Sequence, residues 1–191
     1  MERARPITRD DIEGALKHFK TYVLETMHET RSERQAWTEA LERCLADVGR
    51  DLHYKVCGGH RSRRDYPEWL YDMAWCEYEG TGDDLRLLSV GFVMECEWSV
   101  STHEMALDFE KLLLANAPKR LFVYYPRTEA TRSSMQAYFQ EAIDKYVLPI
   151  ADDTFYIATF DGADLHLSEC KRSPAVRAAV LDAQVPLPSI Q

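Results

Sequence analysis

Long hydrophobic runs are absent from this 191-residue sequence, and none approaches the roughly 20 apolar residues that a membrane-spanning helix requires. The opening residues Met-Glu-Arg-Ala-Arg-Pro lack the apolar segment of a secretory signal. The five cysteines are odd in number and show no C-x-x-C spacing, which is typical of reduced thiols rather than of a disulfide framework. We therefore expect a cytoplasmic protein with no membrane segment.

Several catalytic motifs are also missing. The sequence contains no G-x-S-x-G, no P-loop and no G-x-G-x-x-G, so serine hydrolase, P-loop NTPase and dinucleotide-binding functions have no support. Hydrophobic residues make up 46% and charged residues 29%, which is an ordinary globular composition. Without a linker or repeat to divide it, the chain is predicted to form a single domain over residues 1–185, with a loose tail over 186–191.

Basic residues are scarce in the central part of the chain. Residues 65–110 contain 12 acidic side chains and one basic side chain, Arg86, whereas the whole chain carries a net charge of −9. This balance argues against strong unaided affinity for nucleic acid. A concentrated acidic segment suits a divalent cation, although a solvated acidic surface would have the same composition.

Periodicity of the apolar residues predicts an α/β fold. Two N-terminal stretches have helical spacing, three strand-like segments follow, and helices and strands then alternate. In chain order we predict helices from Thr8 and Ser32, strands 52–56, 69–78 and 85–98, helix 101–116, strand 119–125, helix 131–146, and a hairpin over 155–167. A three-stranded meander followed by a crossover helix and another strand is typical of a mixed sheet.

The strand 85–98 has two distinct faces. Its even positions are all apolar, which predicts a buried face packed under Phe109, Leu112 and Leu113 of the next helix. These positions are Leu88, Val90, Phe92, Met94, Cys96 and Trp98. Glu95 and Glu97 project side by side from the opposite face, where they repel each other unless a cation or a proton intervenes.

Two further charged side chains are expected near this pair. If Glu79 pairs with Asp84 across the hairpin turn, Asp72 shares the face of Glu95 but lies opposite Gly91. A longer loop or a bulge at Gly91 would bring Asp72 closer to Glu95. Lys111 lies on a helix face from which it can point toward the carboxylates, although an ion pair with Asp108 is an equally ordinary role.

Together these residues resemble the motif of the PD-(D/E)xK, or restriction-endonuclease-like, nuclease superfamily. The matching segments are Tyr71-Asp72, Glu95-Cys96-Glu97-Trp98 and Asp108-Phe109-Glu110-Lys111. The resemblance covers about residues 32–125 and implies an αβββαβ core with a mixed sheet, here with an N-terminal helix pair and a C-terminal helix plus hairpin. No proline precedes Asp72, and Glu97 replaces the motif lysine, which some members supply from the following helix, where Lys111 lies.

The resemblance implies Mg²⁺- or Mn²⁺-dependent hydrolysis of phosphodiester bonds in nucleic acid, by an endonuclease or an exonuclease. Asp72, Glu95 and Glu97 would bind metal, Glu97 could instead act as a base, and Lys111 would stabilise negative charge. The basic loop residues Arg61, Arg63 and Arg64 could contact phosphates, or they could simply be solvated.

Two alternatives remain open at the level of sequence. The chain could be a catalytically inactive interaction protein that keeps the nuclease fold and binds a basic partner through its acidic face. His53, Cys57 and His60 have a spacing compatible with zinc, but no fourth ligand is obvious. A homodimer is compatible with the sequence, which does not fix the oligomeric state.

Overall fold

The protein has an α/β fold in which a six-stranded mixed sheet is covered by helices on both faces. The computed structural model describes residues 3–26, 33–59, 64–67, 69–146 and 154–173. The predicted tail 186–191 and the basic residues Arg61 and Arg63 lie outside these ranges.

Four α-helices and six strands are present in the described ranges. The helices are α1 Arg9–Thr26, α2 Glu33–Asp51, α3 Thr102–Leu114 and α4 Glu129–Lys145. The strands are β1 Lys55–Gly58, β2 Met73–Glu79, β3 Arg86–Glu97, β4 Lys119–Tyr124, β5 Thr154–Phe160 and β6 Leu165–Cys170. None of the helices in this part of the chain is long and apolar enough to cross a membrane.

The strands lie in the sheet in their order along the chain, β1 to β6. The neighbours β1, β2 and β3 are antiparallel, as are β5 and β6, whereas β3, β4 and β5 run parallel. Parallel neighbours need a long crossover, and α3 and α4 supply the two crossovers. The order helix, three strands, helix, strand therefore occurs as expected from the sequence.

Side-chain caps fix the starts of three helices. Thr8 and Asp11 bond reciprocally at the start of α1, with the Thr8 amide donating to Asp11 Oδ2 at 2.8 Å and the Asp11 amide donating to Thr8 Oγ1 at 3.3 Å. Ser101 caps α3, since its Oγ accepts from the Glu104 amide at 3.3 Å. Helix α4 begins at Glu129, ahead of the predicted Thr131, because Thr128 caps it.

Two hydrophobic cores lie on opposite faces of the sheet. Alternate residues of β4 point to opposite sides: Leu121 and Val123 pack with α1 and α2, whereas Phe122 and Tyr124 pack with α3 and α4.

Phe92, Met94 and Trp98 belong to the first core, so the expectation that they lie under Phe109, Leu112 and Leu113 is wrong. The N-terminal helix pair, rather than the crossover helix, covers this face of β3. Trp98 contacts Phe19 and Trp37, with ring centroids 6.2 Å and 5.5 Å away.

A register shift at Gly91 changes which residues of β3 share a face. Trp75 pairs with Phe92, but the next residue, Cys76, pairs with Val90, so one residue of β3 is left over. Val90 therefore packs with the core under α3. Leu88, predicted to be buried, is 61% exposed.

The same hairpin has a longer loop than the predicted one. Glu79 pairs with Arg86, not with Asp84, and a second register shift lies between Glu77 and Tyr78. The two shifts bring Met73 opposite Met94. Asp72, one residue before Met73, is thereby placed next to Glu95 instead of opposite Gly91.

Candidate functional site

Asp72 lies directly before β2 and is fixed to β3 by a hydrogen bond. The backbone N–H of Cys96 donates to Asp72 Oδ2 at 2.8 Å, just beyond the last backbone pair, Met73 with Met94. The preceding residue, Tyr71, is buried in the core under α3 and α4. Asp72 thus lies between the buried Tyr71, its neighbour in the chain, and strand β3, to which it is hydrogen-bonded.

Glu95 is a buried carboxylate in the last third of β3, with 1% of its surface exposed. Its Oε2 accepts a hydrogen bond from Lys111 Nζ at 3.0 Å, whereas its Oε1 is buried without a hydrogen-bond partner. Burial, together with the negative charge of Asp72, raises the pKa of Glu95 to about 8, although Lys111 opposes the shift. A buried carboxylate with one unmatched oxygen is costly, which is a common feature of functional sites.

Lys111 reaches Glu95 from the middle of α3. Its Nζ also lies 2.8 Å from Asp108 Oδ1, so the ammonium group contacts two carboxylates at once. Partial burial alone would lower the pKa of Lys111, but Asp108 and Glu95 outweigh this effect and raise it. The ammonium group is therefore charged at neutral pH. The Lys111 side chain as a whole is 46% exposed.

Glu97 is connected to this group through Asp108 rather than through Asp72. Its Oε1 accepts a 2.5 Å hydrogen bond from the Ser99 amide, and its carboxyl group also hydrogen-bonds to Asp108. Burial, and then the bond to Asp108 and the charge of Glu104, raise the pKa of Glu97, with the Ser99 amide acting in the opposite direction. Two carboxyl groups can share a hydrogen bond only if one of them carries a proton.

Two surface depressions adjoin the site. A groove of about 640 Å³ between α3 and α4 reaches Lys111 and is otherwise lined mainly by the side chains of Leu107, Leu114, Tyr138 and Tyr146. A cleft of about 530 Å³ lies between α2 and the end of β3 and includes Glu97. Both are large enough for a small ligand, and one reaches Lys111 while the other reaches Glu97.

Carboxyl oxygens are the ligands that hard divalent cations prefer, and the site offers few of them. Within the described ranges, no group of three or more histidine, cysteine, aspartate or glutamate side chains is arranged to hold a metal ion. Asp72 and Glu95 are neighbouring oxygen donors, and the unpartnered Oε1 of Glu95 is the kind of atom that a cation would satisfy. Mg²⁺ prefers oxygen ligands, is commonly held by one or two carboxylates and keeps several waters.

The other candidate residues lie on or beside the edge strand β1, the neighbour of β2. Arg64 is half-buried next to Asp65, whose Oδ2 accepts from the Val56 amide at 2.8 Å, so Arg64 lies beside the edge strand β1. Of the three residues with zinc-like spacing, His53 is exposed, Cys57 is buried, and His60 lies outside the described residues. All five cysteines are free thiols.

One member of the site was not recognised as such from the sequence. The sequence predicts Asp108 only as an ion-pair partner of Lys111, because residues three positions apart on a helix are neighbours. Its bond to Glu97 depends on how α3 turns back across the end of β3, which no local pattern reveals.

Comparisons of the chain with protein-family models, with curated proteins and with solved structures found no match.

Proposed function

We propose that the chain hydrolyses phosphodiester bonds of nucleic acid in the presence of Mg²⁺ or Mn²⁺, at a centre formed by Asp72, Glu95 and Lys111. The observation that carries the proposal is the buried carboxyl group of Glu95, which binds Lys111 through one oxygen and has no partner for the other. A restriction-endonuclease-like core is part of the proposal.

The arrangement of the elements supports this core. A helix, three antiparallel strands, a helix and a parallel strand follow one another from α2 to β4. The aspartate precedes the second of these strands, the first glutamate lies near the end of the third, and the lysine comes from the following helix. This is the order in which the superfamily motif places its acidic and basic residues.

Each side chain would have a distinct role in the reaction. Asp72 and Glu95 would hold the cation, which polarises the phosphoryl oxygen and lowers the pKa of a bound water. Lys111, charged and partly exposed, would offset the negative charge that develops on the phosphate. Glu97, once it has lost the proton that it shares with Asp108, would accept the proton of the attacking water or serve as a further ligand.

Cleavage assays test the proposal directly. Purified protein is incubated with single- and double-stranded DNA and RNA, with Mn²⁺, with Mg²⁺ or with a chelator. We expect metal-dependent cleavage by the wild type and none by Asp72→Asn or Glu95→Gln, which keep the shape of the side chain. Absence of cleavage of all four substrates by the folded wild type would contradict the proposal.

A non-catalytic interaction protein is a second candidate, favoured by the tip of the β2–β3 hairpin. Glu79, Asp83 and Asp84 are all exposed there. Such a surface would attract a basic protein partner without any metal. Capture of a basic partner that persists in chelator and is lost when these three acidic residues are neutralised would favour this function.

A further inference from the structure

The link between Lys111 and Glu97 through one carboxylate indicates a role for Asp108. We propose that Asp108 is a positioning residue, which holds the Lys111 ammonium against Glu95 and ties it to Glu97. The inference rests on the proposed function, because it concerns how the lysine is presented to the reacting phosphate.

The Lys111 ammonium group has two carboxyl contacts. A lysine side chain is a flexible stem with considerable rotamer freedom, so one contact rarely fixes its ammonium group. Asp108 Oδ1 lies 2.8 Å from Lys111 Nζ, slightly closer than Glu95 Oε2 at 3.0 Å. Two carboxylates on different elements, one on β3 and one on α3, therefore define the position of the ammonium group.

Asp108 is itself held in place by a second contact. Its side chain is 22% exposed and also hydrogen-bonds to Glu97. Asp108 is thus held at the end of β3 while it binds Lys111. In the superfamily motif a lysine stands at the position of Glu97, directly on the strand. Here the lysine comes from the helix, and Asp108 connects it to that strand position.

The first experiment measures the chemical reactivity of Lys111 in the metal-free protein and needs no enzymatic activity. The protein is treated with a limiting amount of an amine-acylating reagent, and modification of each lysine is quantified by mass spectrometry. Lys145, exposed and paired with Glu141, is the internal reference. In the Asp108→Asn variant, Lys111 should be acylated several-fold faster than in the wild type, because its amino group loses the contact to the Asp108 carboxylate and is less firmly held. Unchanged reactivity would overturn the proposal.

The second experiment separates positioning from binding. In cleavage assays Asp108→Asn should lower kcat by about 10- to 100-fold, the usual effect of losing a residue that orients a site group. KM and the Kd for Mn²⁺ should stay at the wild-type values, and Asp108→Glu should recover part of the kcat. Glu110→Gln is the matched control, because Glu110 adjoins Lys111 on α3 but accepts a hydrogen bond from Tyr138.

The outcomes distinguish this inference from the proposed function. If the wild type cleaves nothing, the proposed function fails, while the acylation result still decides whether Asp108 holds Lys111. If the wild type cleaves and Asp108→Asn has the same kcat, or loses only Mn²⁺ affinity, the positioning role is wrong.

Discussion

The amide of Cys96 donates a 2.8 Å hydrogen bond to the carboxylate of Asp72, so a side chain continues the pairing of β2 with β3 after the backbone ladder ends. Asp72 therefore has a structural contact as well as a charge near Glu95. Substitutions at position 72 can separate the two.

We expect Asp72→Ala to lower the free energy of unfolding by about 1.5 to 3 kcal/mol, the range for a hydrogen bond to a charged group. Asp72→Asn should cost less, because the amide oxygen can still accept from Cys96. Urea unfolding followed by circular dichroism measures both. Equal destabilisation by the two substitutions would mean that the charge, and not the hydrogen bond, stabilises this end of the hairpin.

Glu95 should make stability depend on pH. The folded protein keeps a proton on Glu95 up to about pH 8, whereas the unfolded chain loses it near the ordinary value of 4.5. Because the folded state binds more protons between these values, stability should fall as the pH rises from about 5 to 8. In Glu95→Gln this contribution disappears, so the melting temperature should change less with pH. The exposed Glu79→Gln serves as the control and should keep the wild-type slope.

Mn²⁺ should raise the melting temperature of the wild type, because a ligand that binds only the folded state stabilises it by mass action. Asp72→Asn and Glu95→Gln should each reduce this increase. A thermal shift titration gives the result without a substrate. An equal increase in wild type and both variants would place the cation elsewhere.

Met94→Asp should lower the free energy of unfolding by about 4 kcal/mol or more, since it buries an unpaired charge in the core under α1 and α2. Leu88→Asp is the matched substitution on the same strand, and at 61% exposure it should cost no more than about 1 kcal/mol. Thermal melts compare the two. A Leu88→Asp protein as unstable as Met94→Asp would contradict the register shift at Gly91.

Gly91→Ala should lower the free energy of unfolding by about 1 to 3 kcal/mol, the usual cost of overpacking. A Cβ at this position would lie 2.6 Å from Cε1 of Tyr54. Gly14→Ala in α1 is the control, because a Cβ there meets nothing within 4 Å and should stabilise the helix by about 0.5 to 1 kcal/mol. Chemical denaturation should show opposite signs for the two substitutions.

The order of the elements could be predicted from sequence because each depends on local patterns. The reciprocal cap of Thr8 and Asp11 and the cap at Ser101 are encoded within four residues of each helix start. The alternation of β3 likewise showed that Met94 is buried and that Glu95 points to the other face.

Contacts between elements that are distant in the sequence could not be predicted from local patterns. Alternation distinguishes two faces of β3 but does not say which helices cover each face, so Met94 was assigned to α3 instead of α1 and α2. The extra residue at Gly91 depends on pairing with β2, and Leu88 was therefore assigned to the wrong environment. The contact between Asp108 and Glu97 requires the relative placement of α3 and β3.

The register shift at Gly91 also separates the end of the hairpin that carries the site from its tip. On the side of the site, the pairing runs without interruption from Trp75 with Phe92 to Met73 with Met94, and Asp72 follows. Nearer the tip, a second register shift lies between Glu77 and Tyr78, and Leu87 and Leu88 are exposed. We expect residues inserted into or deleted from the tip to leave the pairs between Gly91 and Asp72 unchanged. In that case the hairpin changes in length and in the surface that its tip presents, while Asp72 and Glu95 keep their spacing.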